Sequence, residues 1–241
     1  MDATTRNINK TANIMLALKQ SLSLPSLKTA GGWSPDDETS LVAWYQNAVG
    51  ITLNGSDVSQ WADSAAAGLY DMVQATAGEQ PAYSGGVLTF VSADKNNLQT
   101  TGQISLAGDF TFGVKIYPSL VDSGTFLGDN TIGGELFKYK TRTRISVKID
   151  ASSATALDLD SGIFGDDYIV ITRASDVLTL WHNGVAQTGT TPTLAGTADI
   201  DAIGIRRTDT DSFDGTIEEI QIYNSSNATL TGKINTRLAS L

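Results

Sequence analysis

Phe213-Asp214-Gly215-Thr216-Ile217-Glu218-Glu219-Ile220-Gln221-Ile222-Tyr223-Asn224 is the stretch on which the fold turns. Ile217, Ile220, Ile222 and Tyr223 leave Glu218, Glu219 and Gln221 between them, so the pattern predicts a strand with one apolar and one wet face. From Ile217 to Ile220 strict alternation slips by one place, which predicts a bulge near Glu218 and Glu219. Asp214-Gly215 opens the strand and Asn224-Ser225-Ser226-Asn227 closes it, as turn chemistry requires. The period then changes. Leu230, Ile234 and Leu238 fall four apart, which predicts a short terminal helix lying against the sheet just completed.

Outward from this stretch, the chain reads as short strands between turn residues. Apolar groups occupy every second position from Phe110 to Ile116, and Ile145, Val147 and Ile149 alternate with Arg144, Ser146 and Lys148. Further strands are expected over 41–45, 58–63, 72–76, 87–91, 124–128, 135–140, 156–160 and 200–206. Residues 167–173 and 177–182 read as a hairpin joined through Ala174-Ser175-Asp176, with Asn183-Gly184 supplying the next turn. This spacing of turns and strands favours an all-β sandwich.

The first thirty residues differ. Ile8, Met15, Leu18 and Leu22 recur at helical spacing, before Pro25 and a hinge at Ala30-Gly31-Gly32. Arg6, Lys10, Lys19 and Lys28 face only Asp2 there, so this segment is basic. About two heptads make no independent coiled coil. The sequence therefore predicts an N-terminal helical arm over 1–32, docked on another copy or a larger assembly through Ile8, Met15, Leu18 and Leu22, and one body over 33–241.

Composition narrows the function. A net charge of −10 argues against nucleic acid, which needs a basic surface. Among 241 residues there is no cysteine, so disulfides and thiolate metal sites are excluded. Neither an apolar run of roughly 18 residues nor a secretory leader is evident, so the expectation is a soluble chain without membrane insertion.

Several pieces resemble one family. Asp167-Tyr168-Ile169-Val170-Ile171-Thr172-Arg173 followed by Leu178-Thr179-Leu180-Trp181-His182-Asn183-Gly184 is similar to the paired strands and aromatic-x-Asn-Gly turn of laminin-G-like domains. The stretch from Phe213 to Asn224 resembles their last strand. Gln60-Trp61-Ala62-Asp63, Gln74-Ala75-Thr76 and Gln80-Pro81-Ala82-Tyr83 resemble the opening segment of phage and bacterial surface members. The resemblance spans about Ser40 to Leu241 and implies an antiparallel two-sheet jelly-roll sandwich of the concanavalin A/laminin-G type.

That family holds lectins, glucan hydrolases and purely structural modules, so function must be read from residues. Its hydrolases carry two carboxylates about an intervening Asp on one strand, a triplet absent here. Glu218 and Glu219 are adjacent, and a regular strand would send them to opposite faces, so they read as an exposed edge or bulge. Asp158 and Asp160 share a face and read as surface carboxylates; His182 reads as a turn residue. No catalytic residue is assigned, and the expectation is a non-enzyme.

Asp209, Asp211 and Asp214 offer oxygen ligands for Ca²⁺ within one loop, with Asp129-Asn130 as a second contributor, although no cofactor is required. Trp44 and Trp181 sit in strands where burial is the default, so Trp33 and Tyr83 are the candidate saccharide contacts. The resemblance then implies a non-enzymatic phage virion protein assembled in the host cytoplasm, either a head decoration protein or a tail-fibre module. Its partners would be other virion proteins, further copies of itself and a host surface glycan. The alternative is a stand-alone carbohydrate-binding lectin, and less favoured still a divergent glycan hydrolase.

Overall fold

The computed structural model describes residues 32–119, 124–130, 136–150, 153–162, 165, 167–206 and 209–241. Pro35–Leu241 forms one compact unit, and a second unit, Met1–Ser34, is described only over 32–34. The arm residues Ile8, Met15, Leu18 and Leu22 lie outside the described residues.

Among the described residues the chain runs through β1 (Leu41–Tyr45), β2 (Ile51–Asn54), β3 (Asp57–Trp61), β4 (Met72–Val73), β5 (Ala82–Ser84), β6 (Val87–Phe90), β7 (Leu98–Leu106) and β8 (Phe110–Pro118). It continues through β9 (Gly124–Gly128), β10 (Leu136–Thr141), β11 (Arg144–Lys148), β12 (Thr155–Asp158), β13 (Tyr168–Ala174), β14 (Val177–His182), β15 (Val185–Ala186), β16 (Ala198–Ile203) and β17 (Gly215–Tyr223). One helix, α1 (Ala228–Leu238), follows. The strand read from the sequence as decisive is central in space: β8 flanks β17 along its length, while β1 and β6 share its other edge. From β8 the pairing continues to β13, β14 and β15.

A second run of strands, β4-β7-β16-β9-β10-β11-β12, connects to the first through β3, β5 and β6. Every pairing between these strands is antiparallel, and the hydrogen-bonded network is continuous. Aromatic rings from the two runs meet in the core. Phe112 of β8 meets Phe137 of β10 edge-on at 4.7 Å between ring centroids, and Phe137 in turn reaches Phe126 of β9 at 6.4 Å. The molecule is therefore an antiparallel β-sandwich with one short C-terminal helix.

The bulge anticipated near Glu218 is present: Ile217 pairs with Ile116 but Glu219 with Lys115, so β17 gains one residue on β8. Its inner face, with Ile217, Ile220 and Ile222, is fully buried as its apolar residues require. The outer face departs from the expectation of a wet surface. Glu219, Gln221 and Tyr223 have no exposed area, because Leu230, Ile234 and Leu238 of α1 cover this side of the sheet. Gly113 of β8 leaves the space for that helix, since an added Cβ would clash with Ile234 Cγ2 and stand 3.3 Å from Leu238 Cδ1. Asn227 caps the helix, its Oδ1 accepting from the Leu230 amide at 2.9 Å.

Local chemistry explains the motif residues. Phe213 is buried edge-on against Phe90, and Gly215 holds φ +150° where a Cβ would strike the Tyr117 carbonyl. Ser175 and Asp176, and then Asn183 and Gly184, take positive φ in tight hairpin turns. Asp63 is buried; its Oδ1 accepts from the Trp44 and Ala65 amides and fixes the loop after β3. β7 and β2 are among the strands that escaped the sequence pattern. β7 reads Leu-Gln-Thr-Thr-Gly-Gln-Ile-Ser-Leu and alternates only near its end, while β2 is mostly exposed.

Candidate functional site

The bulge has a consequence for the side chains beyond β17. Directly opposed residues of an antiparallel pair project to the same side, so Glu219 shares the face of Lys115, and Thr216 that of Tyr117. Beside this register lies a cleft of about 260 Å³ lined by Lys115, Tyr117, Thr216, Glu218, Asp167 and Val87, among others. Glu218 and Glu219 thus lie on the Lys115 side together, correcting the opposite-face expectation: the extra residue resets the alternation. Tyr117 packs one side against the core and lines the cleft.

Asp167 enters from the chain just before β13. Its carbonyl accepts from the Ile116 amide at 3.2 Å, which seats it against β8. Its Oδ1 accepts from Asn183 Nδ2 at 2.6 Å and lies 3.4 Å from His182 Nε2. His182 is therefore not a solvent-facing turn residue; it is 7% exposed at the end of β14, beneath Asp167. Close by in charge is Tyr139, whose phenol is driven up by burial and further by the Asp167 carboxylate. Two carboxylates from separate segments, Asp167 and Glu218, thus line one space with an ammonium, a phenol and a hydroxyl.

Glu219 serves a different purpose. The expectation of an exposed carboxylate fails, because Arg237 of α1 donates through Nε at 2.5 Å and Nη2 at 2.7 Å. Asn47 N and Gln221 Nε2 supply the remaining donors, and Tyr223 donates to Gln221 Oε1 at 2.7 Å. The Arg237 guanidinium also lies over the Trp44 ring, 4.9 Å from its centroid. Glu219 is a structural anchor for the helix.

The acidic loop distributes its carboxylates among several partners. Asp211 binds Lys138 at 2.8 Å and the Arg206 guanidinium, with Arg206 Nε at 2.7 Å. Burial pushes the Asp211 carboxyl up, but Lys138 and Arg206 outweigh it and hold the group below the usual range. Asp214 Oδ2 accepts from the Ser92 amide and hydroxyl, and Asp209 exchanges hydrogen bonds with Asn130. Asn130 thus joins the 124–130 segment to this loop. Asp201, unmarked in the sequence, completes the group: it accepts from the Asn130 amide at 2.7 Å. Burial raises the Asp201 carboxyl, the Asn130 amide lowers it, and neighbouring Asp129 raises it again. From Asn130 a chain of carboxamides runs inward through Gln99 and Asn97 to buried Gln74. Among the described residues no three His, Asp or Glu side chains gather around a metal-sized space.

Other sequence candidates fall apart from the cleft. Tyr83 is half-buried against the core on β5, and Trp33 is half-buried in the segment before Pro35. Trp44 is buried as expected, while Trp181 is half-buried. Asp158 pairs with Arg144 at 2.6 Å on an exposed edge, and Asp160 accepts from Thr188. The cleft residues Lys115, Tyr117, Thr216 and Glu218 were missed because each reads as the outward member of an alternating strand. The bulge was their one sequence signal.

Solved structures share this fold. A sialidase from Trypanosoma rangeli superposes with a TM-score of 0.54 at 16% identity, over 84% of this chain and 33% of the sialidase chain. The same enzyme in complex with 2,3-difluorosialic acid gives 0.52 at 16% identity, over 90% and 35%. A heptameric SAP-like pentraxin from Limulus polyphemus gives 0.46 at 13% identity, over 59% and 75%. The chain spans about a third of the length of the sialidase chains it matches. No protein-family model and no curated protein sequence matches it. The expectation of a non-enzyme is not upheld, since chains of a sialidase, an enzyme, share the fold. Asp167 and Glu218, from separate segments, line one cleft.

Proposed function

We propose that the chain is a carbohydrate-binding β-sandwich of concanavalin A-like, two-sheet jelly-roll character that holds saccharide in the cleft between β8, β17 and the segment before β13. One observation carries this. Tyr117, Lys115, Thr216, Asp167 and Glu218 combine an aromatic ring, an ammonium, a hydroxyl and two carboxylates around one open volume. Sugar hydroxyls donate and accept at once, and such a lining answers both demands. The likeness to sialidase chains supports the fold on which the cleft is built.

The test is titration of the whole chain against a saccharide panel, with released reducing ends measured in parallel. Binding in the micromolar to millimolar range is expected, weakened at least about tenfold in Tyr117→Ala and Glu218→Gln. Loss of any reducing-end release in Glu218→Gln would place that carboxylate in the chemistry. Absence of binding, or binding indifferent to both substitutions, overturns the proposal.

A phage-virion setting of laminin-G type is the second reading, favoured by the basic segment holding Arg6, Lys10, Lys19 and Lys28. It rests on sequence alone. Its test is the solution mass with and without residues 1–32: self-association lost on truncation supports an assembly arm, and an unchanged monomer removes it. Ca²⁺ at Asp209, Asp211 and Asp214 would have to compete with Lys138 and Arg206 for Asp211. A rise in melting temperature with Ca²⁺, reversed by chelation, tests it.

A further inference from the structure

Asn-Gly occurs in two hairpin turns, as Asn54-Gly55 between β2 and β3 and as Asn183-Gly184 between β14 and β15. A glycine carries no side chain to hinder its own amide nitrogen, which can therefore attack the carboxamide of the residue before it. The fold treats the two turns differently.

Asn183 is held at both ends of its carboxamide, Oδ1 accepting from the Tyr168 amide at 3.0 Å and Nδ2 donating to Asp167 Oδ1 at 2.6 Å. Its backbone is fixed as well: Asn183 N donates to the Tyr168 carbonyl at 3.0 Å, and the residue sits at φ +48°. The Tyr168 hydroxyl closes over the turn, 3.3 Å from where a Cβ on Gly184 would stand. Asn54 is exposed, as are Thr52 and Leu53 before it, and its carboxamide is restrained through Nδ2, which donates to Gln80 Oε1 at 3.1 Å. Nothing lies within 4 Å of the corresponding Cβ position on Gly55.

We propose that Asn54 is a site of spontaneous deamidation in the folded protein, and that the fold suppresses the same chemistry at Asn183. The Gly55 nitrogen gives up its proton and bonds to Asn54 Cγ, the Cγ–Nδ2 bond breaks, and the side-chain nitrogen leaves as ammonia. Water then opens the cyclic imide. Aspartate results where the bond from Cγ to the Gly55 nitrogen breaks, and isoaspartate where the bond from the Asn54 main-chain carbonyl carbon breaks. Nothing is oxidised or reduced, and water is the reagent consumed.

Either product disturbs the hairpin. Gln80 is 5% exposed, and a carboxylate at position 54 sets negative charge against its Oε1 in place of a donor. Gln80 Nε2 donates to the Gln74 carbonyl and the Gln80 carbonyl accepts from Asn96 Nδ2, so the disturbance reaches buried polar groups. Isoaspartate also lengthens the main chain at the Asn54–Asp57 pair that closes the turn, which costs β2 its register on β3.

Peptide mapping by mass spectrometry decides it, on the whole chain aged at mildly alkaline pH either native or in concentrated urea. In the native chain Asn54 should convert at least about tenfold faster than Asn183, which must give up an additional and charge-assisted hydrogen bond. In urea that gap should largely close, because the bonds holding Asn183 are gone. Asn54→Gln, whose longer side chain cyclises far more slowly, should abolish the acidic isoform that the aged native chain accumulates. Asn54→Asp should melt about 2–4 °C below the unaltered chain. Native Asn183 converting as fast as Asn54, or Asn54 staying intact while the urea-unfolded chain converts, overturns the inference. A gap that persists undiminished in urea also overturns it, by assigning the difference to neighbouring sequence. An Asn54→Asp chain that melts unchanged removes the coupling to Gln80.

Discussion

Arg237 reaches from α1 to the fully buried Glu219 of β17 and contacts both carboxylate oxygens, at 2.5 and 2.7 Å, while its guanidinium covers the Trp44 ring. A helix and two strands, β17 and β1, meet in this one side chain. Breaking such a pair from one side strands a charge away from water. Arg237→Ala is expected to cost about 3 kcal/mol in denaturant unfolding. Replacing Glu219 and Arg237 together by Gln and Met should cost less than Arg237→Ala alone, because no uncompensated charge remains. A double variant weaker than the single one would argue against Glu219 as the stranded charge.

Gly113 tests the same contact sterically. Gly113→Ala drives a methyl into Ile234 and toward Leu238, so α1 must lift or the strand must shift. The expected loss is about 1–3 kcal/mol, accompanied by faster amide exchange in α1. Full stability with unchanged exchange would show that the helix does not pack as closely as described.

Asp211 gives an acid-sensitive contribution. Its folded carboxyl lies below the usual range, so its stabilisation is present above the unfolded value of about 3.9 and is lost as pH falls through the lower folded one. Asp211→Asn should therefore destabilise by about 1–2 kcal/mol at neutral pH, with the difference fading near pH 3. Thermal melts of both proteins across that range measure it.

Asp201 has the opposite sign. Its folded carboxyl is raised, chiefly by burial, so its favourable contribution is complete below the unfolded value and is lost as pH rises through the raised one. Asp201→Asn keeps an acceptor for the Asn130 amide and gains a donor toward Asp129. It should raise the melting temperature by roughly 2–4 °C at neutral pH, for about 1 kcal/mol, and by little at pH 3. A loss at neutral pH would show that Asp201 is favourably ionised there.

Arg173 gathers backbone carbonyls near the end of β13. It is fully buried and donates to the carbonyls of Leu106, Gly108, Leu194 and Gly196 while lying 4.6 Å from the Phe110 centroid. Burial pulls its pKa down, against the pull of Asp176, Asp109 and Asp150. Arg173→Met leaves these carbonyls without that donor and should cost about 3 kcal/mol or more by chemical denaturation.

Much of the fold was readable in one dimension because strand alternation, hairpin turns and helical spacing are local. Ile217 to Ile222 announced a central strand and its bulge; Asn183-Gly184 announced a turn; Leu230, Ile234 and Leu238 announced the helix and the face it buries. β7 stayed hidden, since a strand rich in Gln, Thr and Gly carries little period of its own and is held by its neighbours. The cleft was hidden for a related reason. Lys115, Asp167 and Glu218 lie far apart along the chain and each looks like ordinary surface charge until pairing places them together.

By itself the sequence determined the class of structure, the position of β17 and its bulge, because apolar periodicity and turn residues act over a few neighbours. Only the tertiary structure decided that Glu219 is buried beneath α1 while Glu218 faces a cleft with Asp167. That outcome depends on which strand lies opposite β17 and in what register, and hydrogen bonding between segments a hundred residues apart sets both.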